Sequence, residues 1–152
     1  MNDRMIIVSS CLIGIPCRYD GKAQPNDEAV RLYNMGIAVP VCPECLGGLP
    51  TPRTAAEIVG GTGEDVLSSR ARVIARAENG EEKDVTDEFI LGAQKTLEIA
   101  IECGATQAVL KAKSPSCSCG LIYDGSFSGK LREGNGVTAA LLLKNGLRVR
   151  SL

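Results

Sequence analysis

Apolar residues in this chain gather in short runs that give way abruptly to small polar residues, and three of those runs lead to a cysteine. Met5, Ile6, Ile7 and Val8 make the first run, followed by two serines and Cys11. A short, β-branched apolar run of this kind reads as a buried strand opening into a loop. Residues 14 to 26 (GIPCRYDGKAQPN) are rich in Gly, Pro and polar side chains and read as loop. Asn26 or Asp27 then caps a helix running to about Asn34, which Gly36 closes by accepting a left-handed conformation. Ile37 to Val41 is a second buried strand, running straight into Cys42. Ala108, Val109 and Leu110 form a third, and the segment KAKSPSCSCG after it delivers Cys117. A last helix from about Gly136 to Lys144 ends near Gly146, and Leu147 to Val149 gives a fourth strand.

Between the second and third strands the pattern is less regular. Gly47 to Gly63 is dense in Gly and Pro and shows no sustained period, as expected of a long functional loop or irregular insert. EDVLSSRARVIA, residues 64 to 75, has the character of a hairpin turning near Ser68 to Arg70, and residues 77 to 83 read as a charged surface connection. Thr86, with Asp87 and Glu88 behind it, starts a helix whose positive end suits the two carboxylates. Phe89, Ile90, Ala93, Leu97, Ala100 and Ile101 fall on one of its faces, and Gly104 closes it. Strands alternating with helices predict an α/β, Rossmann-like domain spanning residues 1 to 152. Its sheet is mainly parallel, with helices on both faces and a small hairpin insert. Ligands of such sheets bind beyond the carboxyl ends of the strands, where Cys11, Cys42 and Cys117 sit.

The bulk composition adds exclusions. The chain has 152 residues, of which 44% are hydrophobic and 23% charged, the balance of an ordinary globular domain. A formal net charge of -1 offers no overall field for long nucleic acid or an anionic bilayer. MIIV and VTAALLL are far too short to cross hydrocarbon, and no leader pattern opens the chain, so a cytoplasmic location is expected. Seven cysteines then stand out, because a reducing compartment disfavours structural disulfides and favours metal or redox chemistry. Histidine is wholly absent. A metal would therefore be held mainly by thiolate or carboxylate, which points to iron or zinc.

Three thiolates arriving from three strand ends can surround one iron-sulfur cluster, and three ligands leave one iron of a cubane open to act as a Lewis acid. Two other arrangements compete. Cys42 with Cys45 forms a CxxC and Cys117 with Cys119 a CxC, which together can make a four-thiolate zinc site in a binding domain. A CxxC redox pair is the other, although Cys45 is followed by Leu46, Gly47, Gly48 and Leu49, a poor start for the helix that such a pair needs. Cys103 reads as a small buried apolar residue, and Cys17 as a nearby thiol or alternative ligand. Glu44 lies between Cys42 and Cys45 and is the nearest carboxylate for proton transfer. Ser114 and Ser116 flank Pro115 just before Cys117, and Tyr123, Asp124, Ser126, Ser128 and Lys130 occupy another Gly-rich loop.

The segments SSCLIGIPCRYDG, VPVCPECLGGLPTPR, GEDV, KAKSPSCSCG and YDGSFSGKLREGNGVTAALL resemble the thiouracil desulfidase (TudS) family nearly end to end. The resemblance implies a 4Fe-4S cluster on Cys11, Cys42 and Cys117, with one iron lacking a protein ligand. It implies that the sulfur of a thiolated nucleobase or nucleotide of the thiouracil type binds that iron. Water then replaces the sulfur, giving uracil and hydrogen sulfide. Glu44 matches the family's acid/base carboxylate and Ser114 its assisting serine. The extra thiols Cys45 and Cys119 depart from the expected pattern and leave open which member of each pair binds iron. A sulfur or cluster carrier is the other function compatible with the same thiols.

Overall fold

Ile7 and Val8 are neighbours in sequence and both fully buried, which requires a strand covered on both faces. In the computed structural model of the protein, which describes residues 5–152, that strand is β1 (Ile6–Ser9). Residues 1 to 4 of the span expected to form the domain lie outside the described residues. β1 pairs in parallel with β2 (Ala38–Val41) on one side and β6 (Gln107–Leu110) on the other. β9 (Arg148–Ser151) adds in parallel to β6, so the order is β2-β1-β6-β9. The four expected strands are therefore present, each within a residue or two of its expected bounds, and all four point the same way.

Helices cover both faces. Val8 and Val109 meet Ala29 of α1 (Asp27–Asn34), whose cap Asn26 accepts hydrogen bonds from the Glu28 and Ala29 amides. Ile7, Ala108 and Leu110 pack on the other face against Ala100 of α4 (Thr86–Cys103) and Ala139 and Leu142 of α5 (Val137–Lys144). Small residues at these positions let α4 and α5 approach closely. One residue expected on the buried stripe of α4 is not there: Ile101 is 68% exposed, because the stripe drifts and ends at Ala100. No helix among the described residues is long and apolar enough to cross a membrane.

The segment between β2 and α4 corrects three expectations. The Gly/Pro-rich stretch 47 to 63 is not all loop, since it carries β3 (Ala56–Val59). Residues 64 to 75 are not a hairpin: α3 (Gly63–Leu67) occupies the first part, held by a capping box between Thr62 and Asp65, and β4 (Arg72–Arg76) begins beyond it. The charged connection contains a turn and then β5 (Glu82–Asp84). The antiparallel sheet β3-β4-β5 packs Ile58, Val73 and Ala75 onto Phe89 and Ala93 of α4, forming a second core. A further hairpin of β7 (Leu121–Tyr123) and β8 (Leu131–Glu133) carries the other Gly-rich loop. Hairpin geometry was expected in this protein, but at a different place.

Asp84 joins this second sheet to α4. Its Oδ2 accepts from Arg72 Nε at 2.8 Å and its Oδ1 from the Thr86 amide at 2.9 Å. Burial opposes its charge, but Arg72 and the Thr86 hydroxyl and amide outweigh it and hold the carboxyl down at about 2. A carboxylate depressed in the fold stabilises it above its unfolded pKa of about 4, and that contribution is lost as pH falls towards the folded value. The Arg72–Asp84 pair is 55% and 41% exposed, so the expected cost of Asp84→Asn is that of a solvent-screened ion pair, about 0.2–1 kcal/mol. Urea unfolding of both proteins at about pH 7 and about pH 3 should show that penalty shrinking in acid. An equal penalty at both would mean that the carboxylate's charge contributes nothing.

Candidate functional site

The carboxyl ends of β1, β2 and β6 open on one cavity of about 980 Å³, and Cys11, Cys42 and Cys117 all line it. Each thiol is placed by its own local device. Cys11 lies in a single 3-10 turn, Ser10–Ile13, that Gly14 ends in a left-handed conformation. Cys42 is the N-cap of α2 (Pro43–Leu46), with Pro43 at the start of the helix, where its missing N–H costs nothing. Cys117 rides on a turn built around Ser114, whose Oγ accepts from the Ser116 amide at 3.1 Å and the Cys117 amide at 3.0 Å. That turn docks on the start of α5 through Val137 N to Pro115 O at 2.9 Å and a buried Ser116–Thr138 hydroxyl contact at 2.7 Å.

Three of the thiols face one another. Cys42 Sγ donates to the Cys17 carbonyl at 3.7 Å. The neighbouring Cys17 thiol, with Lys111 nearby, draws Cys11 below the ordinary thiol pKa despite burial. Cys17 is pushed up to about 11, chiefly by the facing Cys11 sulfur, and the nearness of Cys17 raises Cys42. Burial pushes Cys117 up to about 12, although the nearby hydroxyls of Ser9 and Ser114 both favour its thiolate. Ser9 Oγ already accepts from the Lys111 amide at 2.9 Å, so its proton is left for the sulfur. Cys17, which the sequence marked only as an alternative, thus stands among the cavity thiols.

Of the other cysteines, Cys45 sits beside Cys42 but off the cavity, and Cys103 and Cys119 lie elsewhere. Cys45 is exposed, with its sulfur 3.4 Å from Thr51 Oγ1. Cys119 turns away to reach the Val149 carbonyl at 3.5 Å, and Cys103 bonds back to Ala100 O at 3.6 Å, half-buried. Neither Cys45 nor Cys119 lines the cavity. The chain after Cys42 is helical only for the single turn of α2, which stops at Leu46 where the following glycines were expected to make a poor helix. Among the described residues no three Cys, Asp or Glu side chains converge closely enough to share one metal ion. A tetrahedral zinc needs four donors about 2.3 Å from one point. A cubane instead presents a different iron to each thiolate, so its ligands stand apart around it. Thiols spread round one cavity, two of them only 6% exposed, with hydroxyl donors waiting on one sulfur, suit that second kind of group.

Glu44 lines the same cavity, and its carboxylate is fastened at one oxygen. Arg53 donates to Oε2 from Nε at 3.0 Å and also from Nη2, and the side chains are only 6% and 16% exposed. Burial works against the guanidinium's charge, but the charge and hydrogen bond of Glu44 prevail and raise Arg53 above its ordinary value. Ser114 also lines the cavity. The sequence pointed to neither Arg53, Ser9 nor Lys111 as a site residue. A lone arginine in the Pro-rich stretch LPTPR was the available signal for the first. The other two owe their positions to strand ends far apart in sequence.

The family model for 2-thiouracil desulfurase matches residues 6–151. A protein of Bacillus subtilis (strain 168), YbbK, described as uncharacterized, is 52% identical over 147 residues, covering 97% of this chain and 95% of its own. Among solved structures, a 4Fe-4S-dependent thiouracil desulfidase, TudS, superposes with a TM-score of 0.81 at 42% identity, covering 97% of this chain and 89% of its own. The match takes in the parallel sheet, the α2 turn and every residue of the cavity, and on that ground the chain belongs to the 2-thiouracil desulfurase family.

Proposed function

We propose that the protein is an iron-sulfur-dependent desulfidase that removes sulfur from a thiolated nucleobase of the thiouracil type and releases it as sulfide. The observation that carries this is the meeting of Cys11, Cys42 and Cys117, from three strand ends, with Glu44 on one cavity. The printed description of the TudS structure as 4Fe-4S-dependent supports the same cofactor here. Cys11, Cys42 and Cys117 would hold the cluster, leaving one iron without a protein ligand. When bound there, the cluster supplies a thiophilic Lewis acid that polarises a C=S bond and makes sulfide a tolerable leaving group.

The chain's own residues do the rest. Cys17 stands beside Cys11 and Cys42 as a further thiol on the cavity wall. Glu44 keeps Oε2 on Arg53, and among the described residues no protein donor reaches Oε1. That oxygen is the group to take a proton from water as it attacks the ring carbon, and to return it to the leaving sulfur. Ser114 Oγ accepts two amides, so it has only its proton to offer, to the Cys117 sulfur or to a substrate atom in the cavity. The oxygen gained and the sulfur lost balance as a hydrolysis.

Reconstitution with iron and sulfide under anaerobic conditions, followed by assay of sulfide from 2-thiouracil and 4-thiouracil, tests the proposal. Iron-dependent multiple turnovers are expected, and zinc-loaded protein should give none. A stable cluster with no sulfide released would instead favour a sulfur or cluster carrier.

A further inference from the structure

Arg53 has more hydrogen bonds than holding one carboxylate requires. Besides Glu44, its Nη2 donates to the Cys17 carbonyl at 3.0 Å, and its Nη1 to Pro50 O at 3.2 Å and Thr51 Oγ1 at 3.1 Å. Its own amide donates to Tyr19 O at 2.7 Å. One side chain therefore joins three pieces of chain: the loop carrying Cys17, the α2 turn carrying Cys42 and Glu44, and the Pro-rich segment itself. A guanidinium suits this because its five donors are fixed in one plane, so satisfying several acceptors fixes the direction of each bond.

The pattern of those bonds is selective. Both donors directed at Glu44 go to the same oxygen, Oε2, rather than one to each as in a two-pronged carboxylate pair. The remaining donors are taken up by backbone, by Thr51 and by the Cys45 sulfur at 3.9 Å, so the guanidinium is not free to swing and capture Oε1. We infer that Arg53 is a positioning residue that acts through Glu44, pinning one carboxylate oxygen so that the other is presented to the cavity. The inference rests on the desulfidase proposal only for the chemical part it gives Glu44.

The test is a double-mutant cycle on the reconstituted protein: Glu44→Gln, Arg53→Met and the two combined, with Arg53→Lys as a variant that keeps the charge but not the fork. Iron content and visible absorbance report on the cluster, steady-state sulfide release on kcat and KM, and urea midpoints on the contact itself. Arg53→Met should lower kcat about 100-fold, the usual consequence of a misplaced catalytic group, and leave KM within about 3-fold. In the Glu44→Gln background the same change should cost less than about 2-fold, because the group it positions is already gone. Arg53→Lys should recover part of kcat. Losses that multiply in the combined variant, or a loss confined to KM, would overturn the inference. If Arg53→Met fails to hold iron, the comparison passes to Arg53→Lys with and without Glu44→Gln, with the same two outcomes. If the unaltered protein releases no sulfide, it is the desulfidase proposal that has failed, and Arg53 is judged on the urea midpoints. The shift caused by Arg53→Met should then shrink when Glu44 is replaced, and equal shifts would refute the pairing.

Discussion

Cys117→Ser should leave the reconstituted protein without its cluster absorbance and without sulfide release, while Cys119→Ser should leave both intact. The two thiols are two residues apart and chemically identical, so the contrast depends wholly on where each side chain goes. Cys117 lines the cavity, is 6% exposed, and has the Ser9 and Ser114 hydroxyls near its sulfur. Cys119 is turned behind the sheet edge: its amide donates to Ser151 Oγ at 2.7 Å, and that hydroxyl donates back to Cys119 O at 3.1 Å. Removing groups that merely orient a metal ligand costs about 10–100-fold in metal affinity or activity, so loss of the ligand itself should exceed that. Cys42→Ser against Cys45→Ser repeats the contrast on the other pair. Iron analysis and visible spectra of the four variants decide it, and a Cys119→Ser protein that loses its cluster would move the proposed site to the wrong sulfur.

Much of this arrangement was legible in the sequence. β1 and β6 are buried on both faces and the edge strand β2 is half-buried, so their apolar runs are nearly unbroken, and their direction follows from alternation with helices. That alone placed Cys11, Cys42 and Cys117 along one sheet edge. The second sheet was not legible because its strands carry little pattern. All three residues of β5 are exposed, and β3 shows one buried side chain, Ile58. α3 is too short for a helical period to show, and its one clear mark was the capping pair Thr62 and Asp65, three residues apart at its start. Apolar residues on either side of Ser68 and Ser69 made that stretch resemble a hairpin instead.

Within the site, spacing could not choose between the members of each cysteine pair. Cys42 is the N-cap of α2 and Cys45 its third residue, so the two stand close together and only the surrounding chain decides which lines the cavity. What fixes Cys119 is Ser151, whose position comes from β9 pairing with β6. Arg53 escaped notice for a related reason. Its value lies in acceptors contributed by Cys17, Glu44, Pro50 and Thr51, and only the last two are its neighbours in sequence.

The fold should be sensitive at Gly92, a position no chemistry marks. On helix propensity alone, Gly92→Ala in the interior of α4 ought to stabilise the protein by about 1 kcal/mol. The packing reverses that sign. A Cβ at Gly92 would fall 1.9 Å from the Pro43 carbonyl oxygen, and a Cβ at Gly47 would fall 1.9 Å from the Glu88 carbonyl oxygen. α2 and α4 therefore touch backbone to backbone through two reciprocal glycines, and neither carbonyl is a flexible side chain that can move aside. Overpacking a well-filled contact costs about 1–3 kcal/mol or more, and with rigid backbone as the obstacle the upper end is expected, a net loss of about 2 kcal/mol after the propensity gain. Pro43 lies between Cys42 and Glu44, so the retreat of α2 would displace a proposed ligand and the proposed proton carrier together. Urea unfolding of Gly92→Ala should show the loss, and iron retention should fall with it. Lys95→Ala on the exposed side of the same helix should change stability by no more than about 0.5 kcal/mol. If Gly92→Ala proved as stable as the unaltered protein, α2 could not be seated on α4 at this distance, and the placement of Cys42 and Glu44 on the cavity would fall with it.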